Sequence, residues 1–494
     1  MSAKLTRWKF LKAAGAGAAW IALAAAQGCE PDRRNKATGT PVQQGDVLSF
    51  RSRPGLSPPS VGVETQAHDT APGYIFVAPK KGAGQDGPLM LDDSGQPVWF
   101  RPVRGAGVRA MDFKVQQYRG EPVLTYYQGV GITYGRGEYV ILDSSYREIT
   151  RVRAGNGFMG DHHEFLISPQ DTALITIYNP VRRDLSAVGG STDGIVLDGI
   201  AQEIDIETGE VLLEWHSLDH VGVDESYSRP ENPETPFDYF HINSIDVDHD
   251  DNLIISSRRT FTVYKADRNT GEILWRLGGK KSDFEMGPGT RTRYQHDARR
   301  QPDGTITIFD NGGVKKDDRS YGIVLDVDED EMAASLARRY PHPEKRVAAT
   351  QGNVQVLPND NVFIGWGSDP LFSEYSNDGE LLFSARFSHI NESYRAFRFP
   401  WSGDPDDDPA IAAEAGEGDE VTLYASWNGA TEVATWQVLA GPGPDKLEPV
   451  GSSPRTGFET AITVHTTKPY LGVKAIDGSG KTLGASEAIK ANRS

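Results

Sequence analysis

Three short stretches of this chain place a histidine beside a polar partner, and histidine is the side chain that titrates nearest to neutral pH. The stretches are residues 161–165, 239–244 and 294–298, and their histidines are His162, His163, His241 and His296. The chain has only 11 histidines in 494 residues, so this grouping is selective. A neutral imidazole can attack an electrophile, and a protonated one can hold an anion or donate a proton. If the fold brings them together, the stretches predict one site for an anionic substrate.

An arginine and three asparagines lie within or after these stretches. They are Asn243, Arg258, Asn311 and Asn353. Together with the histidines they would make a cationic pocket rich in hydrogen-bond donors. Two alternatives stay open at this point: Arg258 could form an ordinary ion pair with one of many nearby acids, and Asn311, before Gly312, could simply be a turn residue.

Repeated hairpin signals indicate which elements must position these residues. One pattern recurs around Gly95, Gly209, Gly271 and Gly379: an Asp or Asn, then a polar turn that contains the glycine, then an apolar run. These glycines are 114, 62 and 108 residues apart, and weaker copies at residues 142–145 and 325–328 fit the two longer gaps. Short strands in repeats of roughly 50–60 residues are typical of β-propeller blades.

The pattern therefore predicts an all-β fold with a six-bladed β-propeller over residues 65–400. Helical periodicity is scarce, and only residues 329–339 suggest a short helix. The histidine stretches would begin the inner strands, which line the central channel of a propeller. An acidic linker over residues 401–420 then leads to short alternating runs in residues 421–494, which predict a β-sandwich of immunoglobulin or fibronectin type.

The overall charge excludes some partners. The formal net charge is −18 at pH 7, which disfavours nucleic acid and anionic membrane surfaces. An anionic substrate would need a local cationic site such as the one described above.

The amino terminus indicates export. Basic residues end at Lys12, and the apolar stretch at 13–26 is shorter than the roughly 20 residues of a membrane span, so residues 1–28 are predicted to be a signal peptide. Cys29, the only cysteine, follows directly and is a candidate for lipid attachment; the alternative is an incidental cysteine. Residues 29–64 would then be a polar tether. We expect a periplasmic or cell-surface protein, either free or anchored through Cys29, without an intrachain disulfide.

The ordered motifs resemble those of the arylsulfotransferase (ASST) family. They are His-Glu-Phe at 163–165, His-Ile-Asn-Ser at 241–244, Ser-Ser-Arg at 256–258, Gln-His-Asp-Ala at 295–298 and Phe-Asp-Asn-Gly at 309–312. The resemblance covers about residues 65–400. It implies a six-bladed propeller that moves a sulfuryl group from an aryl sulfate ester to a phenol, without a nucleotide sulfate donor and without a cofactor.

The same resemblance implies residue roles. His296 would become transiently sulfated, in a ping-pong mechanism, while His241, His163 and Arg258 would stabilise the sulfuryl oxygens and protonate the leaving oxygen. Asn243 would lie near them, and we group with it His162, Asn311 and Asn353 as substrate-binding residues. Three imidazoles can also hold zinc or copper, but Arg258 beside them would repel a cation, so no metal is predicted.

Two other functions stay open from the sequence. One is a non-catalytic propeller of the cell envelope that binds an anionic ligand or a glycan. The other is a quinone-dependent oxidoreductase, because the Asp-x-x-Thr-Gly-Glu turns at 205–210 and 267–272 also occur in quinoprotein blades.

Overall fold

Short apolar runs separated by turns form antiparallel strands throughout the computed structural model, which describes residues 46–131, 134–313 and 318–491. The predicted signal peptide and Cys29 lie outside the described residues. Within the described ranges, no helix is long and apolar enough to cross a membrane. The helical segments found there are one α-helix, Ser217–His220, and 3-10 turns at Ser186–Val188 and Val223–Glu225. The prediction of an all-β fold is confirmed.

Three sheets form from the first part of the chain, and each is an antiparallel meander. Sheet 1 contains β2 (Tyr74–Val77), β3 (Leu89–Leu91) and β4 (Pro97–Phe100). Sheet 2 contains β5 (Arg109–Tyr118), β6 (Glu121–Val130), β7 (Arg136–Leu142) and β8 (Glu148–Val152). Sheet 3 contains β9 (Phe165–Ile167), β10 (Thr172–Arg183), β11 (Gly194–Asp205) and β12 (Val211–His216).

Three more meanders follow. Sheet 4 contains β13 (Ile242–Val247), β14 (Leu253–Ser257), β15 (Thr262–Ala266) and β16 (Ile273–Gly278). Sheet 5 contains β18 (His296–Arg300), β19 (Ile306–Asp310), β20 (Tyr321–Asp328) and β21 (Ala333–Pro341), with β17 (Glu285–Met286) on its outer edge. Sheet 6 contains β22 (Asn353–Val356), β23 (Val362–Gly365), β24 (Leu371–Tyr375) and β25 (Leu381–Phe387), with β1 (Val61–Thr65) on its outer edge.

The last strand of this region, β26 (Ala396–Phe399), pairs with β2 and so completes sheet 1 with residues more than 300 positions away. Successive meanders also touch through their first or second strands. Strand β5 contacts β9, and β13 contacts both β10 and β18. Strand β22 contacts β18 and β26, and β26 contacts β5. Apolar side chains fill the space between sheets; Ile254 of sheet 4 and Ile308 of sheet 5 belong to one buried cluster.

The hairpin signals lie at the same place in each sheet, at or just before the turn between its third and fourth strands, counted from the first strand of the meander or from β26 in sheet 1. Asp267 shows why the motif works, because its Oδ1 accepts hydrogen bonds from the backbone N–H of Asn269 and Thr270. Gly271 then closes the turn with a φ of 75°, a left-handed conformation that glycine adopts without steric cost.

The short helix expected around residues 329–339 is wrong. Residues 333–341 form β21, which pairs with β20 over its whole length. The run Met-Ala-Ala-Ser-Leu-Ala at 332–337 has good helix propensity, but cross-strand pairing overrides so weak a preference.

Residues after 400 form two smaller sheets. One contains β27 (Ala410–Ala415), β28 (Glu420–Ser426) and β31 (Glu459–His465). The other contains β29 (Thr435–Gly441), β30 (Glu448–Pro454), β32 (Tyr470–Ile476), β33 (Thr482–Ala485) and β34 (Ile489–Lys490). Buried Leu423, Trp436 and Val473 belong to the apolar cluster that they share.

Two segments differ from their predicted extents. Strand β27 lies inside the predicted 401–420 linker, because its backbone completes the edge of β28. The described part of the predicted tether, from residue 46, is also packed: Ser52 Oγ donates to Glu459 Oε2 at 2.5 Å, and Phe50 packs on Phe458 with ring centres 4.3 Å apart. The polar composition of both segments suggested chain without tertiary contacts. It does not reveal the residues they contact, which are distant in sequence.

Candidate functional site

The four histidines of the three stretches lie side by side. Ring centres are 4.2 Å apart between His162 and His163, 4.9 Å between His163 and His241, and 6.4 Å between His241 and His296. Tyr394, just before β26, contacts the rings of His162, His163 and His296. Each histidine precedes or begins the first strand of its meander, so the repeat brings them together.

Hydrogen bonds fix the tautomer of His296. The side-chain amide of Asn311 donates to the carbonyls of Ala348 (2.7 Å) and Gln351 (2.9 Å), so its Oδ1 faces His296 Nδ1 at 2.6 Å. Nδ1 must therefore carry the proton. The backbone N–H of Gln351 donates to Nε2 at 3.2 Å, which requires a lone pair there. His296 is a neutral imidazole with its basic nitrogen on the Nε2 side.

The surroundings keep His296 neutral. Burial lowers the pKa of His296 well below its usual range, and the charge of Arg258 lowers it further, although the bond to Asn311 opposes them. The side chain is only 1% exposed. A buried imidazole that cannot hold a proton keeps its lone pair for nucleophilic attack.

Carboxylates orient two of the other histidines. His163 Nδ1 contacts Asp161 Oδ2 and His241 Nδ1 contacts Asp238 Oδ2, both at 2.5 Å. An ionised carboxylate accepts only, so each Nδ1 donates a hydrogen bond to its carboxylate. Burial lowers the pKa of His241 to about 4, although Asp238 opposes the shift. At neutral pH this pKa leaves the His241 ring uncharged, with Nε2 able to accept a proton.

Arg258 brings a positive charge to the same place. It is buried, its Nη2 donates to the carbonyl of Ala349 at 3.1 Å, and its guanidinium lies 4.8 Å from the ring centre of Tyr294. Its backbone N–H also bonds the carbonyl of His241 at 3.0 Å, which ties the end of β14 to the site. This charge lowers the pKa of both His241 and His296, after the larger effect of burial.

The asparagines divide into different roles. Both polar groups of Asn353 bond the backbone of Ala396, at 2.8 and 2.9 Å, so it joins sheet 6 to β26 and does not offer a group to substrate. Asn311 is likewise fully engaged in orienting His296. Asn243 donates to the carbonyl of Gln295 at 2.7 Å, and among the described residues its buried Oδ1 has no hydrogen-bond partner. Of these three asparagines, Asn243 is the one that retains a group for a ligand.

A buried ion network that the sequence did not reveal joins the first strands. Arg395 is fully buried and pairs with Asp112 (2.9 Å), Glu164 (3.2 Å) and Asp297 (3.3 Å). Burial acts to raise the pKa of Glu164, but Arg299, Arg395 and Lys114 hold it well below the usual range. Only the positions of the acids could have indicated this network in the sequence, because each acid lies within three residues of the start of the first strand of a meander.

Lys80 is a second charged residue that the sequence did not single out. Its Nζ bonds Gln351 Oε1 at 2.6 Å and pairs with Glu392 at 3.0 Å, and it is buried. Burial lowers the pKa of Lys80 to about 8, against the effect of Glu392. Lys80 thus holds Gln351, the residue whose backbone N–H contacts His296.

One group within the described ranges has the atoms for a metal site. Ligand atoms of Asp161, His162 and His163 all lie within 4.8 Å of one another. Asp161 is already used by hydrogen bonds, because it accepts from Gly135 N–H, from the backbone and ring of His163 and from Thr176 Oγ1. These contacts account for the group without a metal.

The neutral histidines predict a loss of stability in mild acid. Burial lowers the pKa of His162 to about 3 and that of His241 to about 4, and that of His296 also lies well below 6.5. Below pH 6.5 the unfolded chain binds protons that the folded chain does not, so the free energy of unfolding should fall as pH falls. Each such histidine contributes about 1.4 kcal/mol per pH unit.

Urea unfolding at several pH values between 6.5 and 5 measures this slope. Burial raises the pKa of Asp310 to about 6, so this one carboxyl opposes the three histidines in that interval without cancelling them. We expect the midpoint to move steadily to lower urea concentration. A constant midpoint over this interval would mean that the histidines are protonated in the fold.

Several solved structures resemble the chain distantly. A protein of unknown function from Bacteroides caccae is 13% identical, with a TM-score of 0.41, covering 67% of this chain and all of its own. A catalytically inactive virginiamycin B lyase from Staphylococcus aureus, solved with quinupristin, is 6% identical, with a TM-score of 0.35. The match covers 75% of this chain and 97% of the lyase chain. A GH43 protein from Bacillus licheniformis is 10% identical, with a TM-score of 0.31. The match covers 78% of this chain and 89% of the GH43 chain.

Comparison by sequence is more specific. No curated protein matches the chain. The sequence model of the Arylsulfotransferase (ASST) family matches residues 114–388, more than half of the chain, and this range contains His163, His241, Arg258 and His296. The family predicted from the motifs is therefore confirmed: the chain belongs to the arylsulfotransferase family.

Proposed function

We propose that this protein moves a sulfuryl group from an aryl sulfate ester to a phenol through a covalent intermediate on His296. Family membership supports a sulfotransferase-type enzyme. The observation that carries the finer proposal is the state of His296: a buried neutral imidazole, protonated on Nδ1, with a lone pair on Nε2 and with the ring of His241 and the charge of Arg258 nearby.

We also propose that sheets 1 to 6 are the blades of a six-bladed propeller. Two observations support it: each of sheets 2 to 6 contacts the next through its first or second strand, and β26 returns to sheet 1 and touches both β5 and β22. Such closure by the last strand would place the histidines on the central axis.

In the first half-reaction, Nε2 of His296 attacks the sulfur of the aryl sulfate. A nitrogen–sulfur bond forms and the bond between sulfur and the aryl oxygen breaks, so the aryl oxygen leaves with the bonding electron pair as a phenolate. The N–H of Gln351 must first withdraw from the lone pair it contacts at 3.2 Å. Positive charge from Arg258 would stabilise the sulfuryl oxygens, as in phosphoryl transfer, where positioning and charge do most of the catalysis.

In the second half-reaction, the oxygen of an acceptor phenol attacks the same sulfur. The new oxygen–sulfur bond forms as the nitrogen–sulfur bond breaks, and its electron pair returns to Nε2 of His296. The phenolic proton passes to the basic Nε2 of His241, which the Asp238 carboxylate orients, and then to solvent. Donor and acceptor thus use one site in turn.

Arg258→Ala should slow transfer on the order of a hundredfold, because it removes a buried positive charge beside the transferring group. The loss should appear in kcat, measured with 4-nitrophenyl sulfate as donor and phenol as acceptor. Arg153→Ala is the control, because it removes an exposed arginine that pairs with Glu138 on sheet 2, and it should keep the wild-type rate. An unchanged rate in Arg258→Ala would make Arg258 a purely structural residue.

The proposed function is tested by incubating the purified protein with 4-nitrophenyl sulfate, with and without phenol, and following nitrophenolate. We expect release that depends on phenol, with one phenyl sulfate formed for each nitrophenolate. Nitrophenolate release with no sulfated acceptor would indicate hydrolysis instead. No release with several phenols would contradict the proposal and favour the binding propeller, in which the same residues, with Arg258 as their cation, only hold an anion.

A further inference from the structure

The backbone of Gln351 contacts the nucleophile proposed above from two sides. Its N–H donates to Nε2 of His296 at 3.2 Å, and its carbonyl accepts from the side-chain amide of Asn311 at 2.9 Å. Asn311 in turn faces Nδ1 of the same imidazole at 2.6 Å. The backbone of this one residue therefore helps to set both ring nitrogens of His296.

A buried ion pair holds the side chain of Gln351. Its Oε1 accepts from Lys80 Nζ at 2.6 Å, and its Nε2 donates to Glu392 Oε1 at 3.0 Å. Lys80 and Glu392 pair with each other at 3.0 Å, and they are only 3% and 6% exposed. Their backbones also exchange two hydrogen bonds, at 3.0 and 3.2 Å. We call Lys80, Gln351 and Glu392 the glutamine clamp.

The backbone of Gln351 is strained and closely packed. Its φ is 67°, in the left-handed region that favours glycine. A Cβ atom placed on Gly367 would lie 2.5 Å from the carbonyl carbon of Gln351 and from the carbonyl oxygen of Thr350, so this segment lies directly on bare backbone. Such strain is concentrated at active sites. A buried ion pair is in turn weak evidence for stability, because desolvation offsets its attraction. Both features fit a positioning role.

Given the function proposed above, we infer that Lys80 and Glu392 are positioning residues for sulfuryl transfer, which act through the backbone N–H of Gln351. In the resting protein this N–H contacts the lone pair of His296 Nε2. As the nitrogen–sulfur bond forms, sulfur takes up that lone pair and the N–H turns to a sulfuryl oxygen, keeping its own proton. The clamp holds this donor beside the sulfur in both half-reactions, as a pre-oriented N–H is held in an oxyanion hole.

Loss of the clamp side chains should lower kcat more than it changes KM. Gln351→Met keeps the backbone N–H and much of the side-chain volume, but it loses the bonds to Lys80 and Glu392. With 4-nitrophenyl sulfate and phenol, we expect kcat to fall between about ten- and a hundredfold, because the donor is misplaced. Lys80→Met should show the same loss. Lys265→Met is the matched control: it removes a buried lysine of β15 that pairs with Asp248, and it should keep the wild-type rate.

The pH dependence separates positioning from a purely structural role. Burial lowers the pKa of Lys80 to about 8, Glu392 opposes this shift, and Lys81 and Arg109 add to it. The charged or titratable groups around Lys80 are Glu392, Lys81, Asp86, Arg109 and His162. Lys80 carries its charge below this pKa and loses it above. The ratio of the wild-type kcat to that of Lys80→Met should therefore fall as pH rises from about 7 to about 9. This ratio cancels the ionisation of phenol, which both reactions share.

A wild-type kcat in either clamp variant, or a ratio that is the same at every pH, would overturn the positioning role while leaving sulfuryl transfer intact. If the wild-type protein transfers no sulfuryl group, the proposed function fails and the clamp is tested by ¹⁵N NMR of histidine-labelled protein. The Nε2 signal that is missing in His296→Ala identifies His296. It should shift in Gln351→Met, because the contact with the N–H is disturbed. An unshifted signal would contradict the clamp.

Discussion

The His296→Ala variant is expected to lose transfer of sulfate from 4-nitrophenyl sulfate to phenol by at least about 10⁴-fold, as when a covalent nucleophile is removed from other enzymes. The hydrogen-bond partner of His296 sets it apart from two of the other histidines. His163 and His241 each direct Nδ1 at a carboxylate, whereas His296 has a neutral amide, Asn311, at that position. Burial and the charge of Arg258 lower the pKa of His296 with no carboxylate to oppose them, so it is the best placed of these three to stay an uncharged nucleophile.

The fold of this variant should survive, because the side-chain bonds of His296 within the described part of the chain go to Asn311 and to the backbone of Gln351. Far-ultraviolet circular dichroism checks the fold before activity is compared. His465→Ala makes the same change at a side chain on β31 that is 68% exposed, and it should keep full activity. Turnover by His296→Ala near the wild-type rate would exclude this residue as the nucleophile.

The Arg395→Met variant is expected to lose the most stability. It removes the cation shared by Asp112, Glu164 and Asp297 and leaves their buried charges less compensated. Breaking one side of a buried ion pair typically costs about 3–5 kcal/mol. Methionine keeps much of the volume, so the loss reports on charge more than on packing. The midpoint of urea unfolding measures the difference.

Arg153→Met is the control for this variant, because Arg153 pairs with Glu138 at the surface and such pairs contribute little. Its midpoint should stay close to that of wild type. A midpoint for Arg395→Met that is also close to wild type would mean that the neighbouring cations, Lys114 and Arg299, already neutralise the acids. The network would then not depend on Arg395.

Local patterns predicted the features that repeat. The Asp-Gly turns are encoded by adjacent residues, as the bonds of Asp267 to its own turn show, so their position in each sheet was readable. The histidines could be grouped for the same reason, since His163, His241 and His296 stand at equivalent points of the repeat. Equivalent positions in neighbouring sheets lie close together, so the repeat alone was enough to predict their meeting.

Contacts between residues that are far apart in the sequence could not be predicted from local patterns. Asn353 was predicted to bind a ligand, yet its amide bonds Ala396, 43 positions away. Arg395 draws its acids from three different sheets, and no local motif marks it. The helix expected at 329–339 failed similarly, because pairing with β20 outweighs the local preference of an alanine-rich run.

The most direct test of covalent transfer through His296 is the mass of the protein after reaction with 4-nitrophenyl sulfate in the absence of an acceptor. The sample is quenched in alkali and digested, and the peptides are mapped by mass spectrometry. We expect an added mass of roughly 80 Da, one SO₃ group, on the peptide that contains His296, and its loss when phenol is added. Phenol-dependent transfer with no such adduct, or with the adduct on another residue, would contradict a sulfated His296.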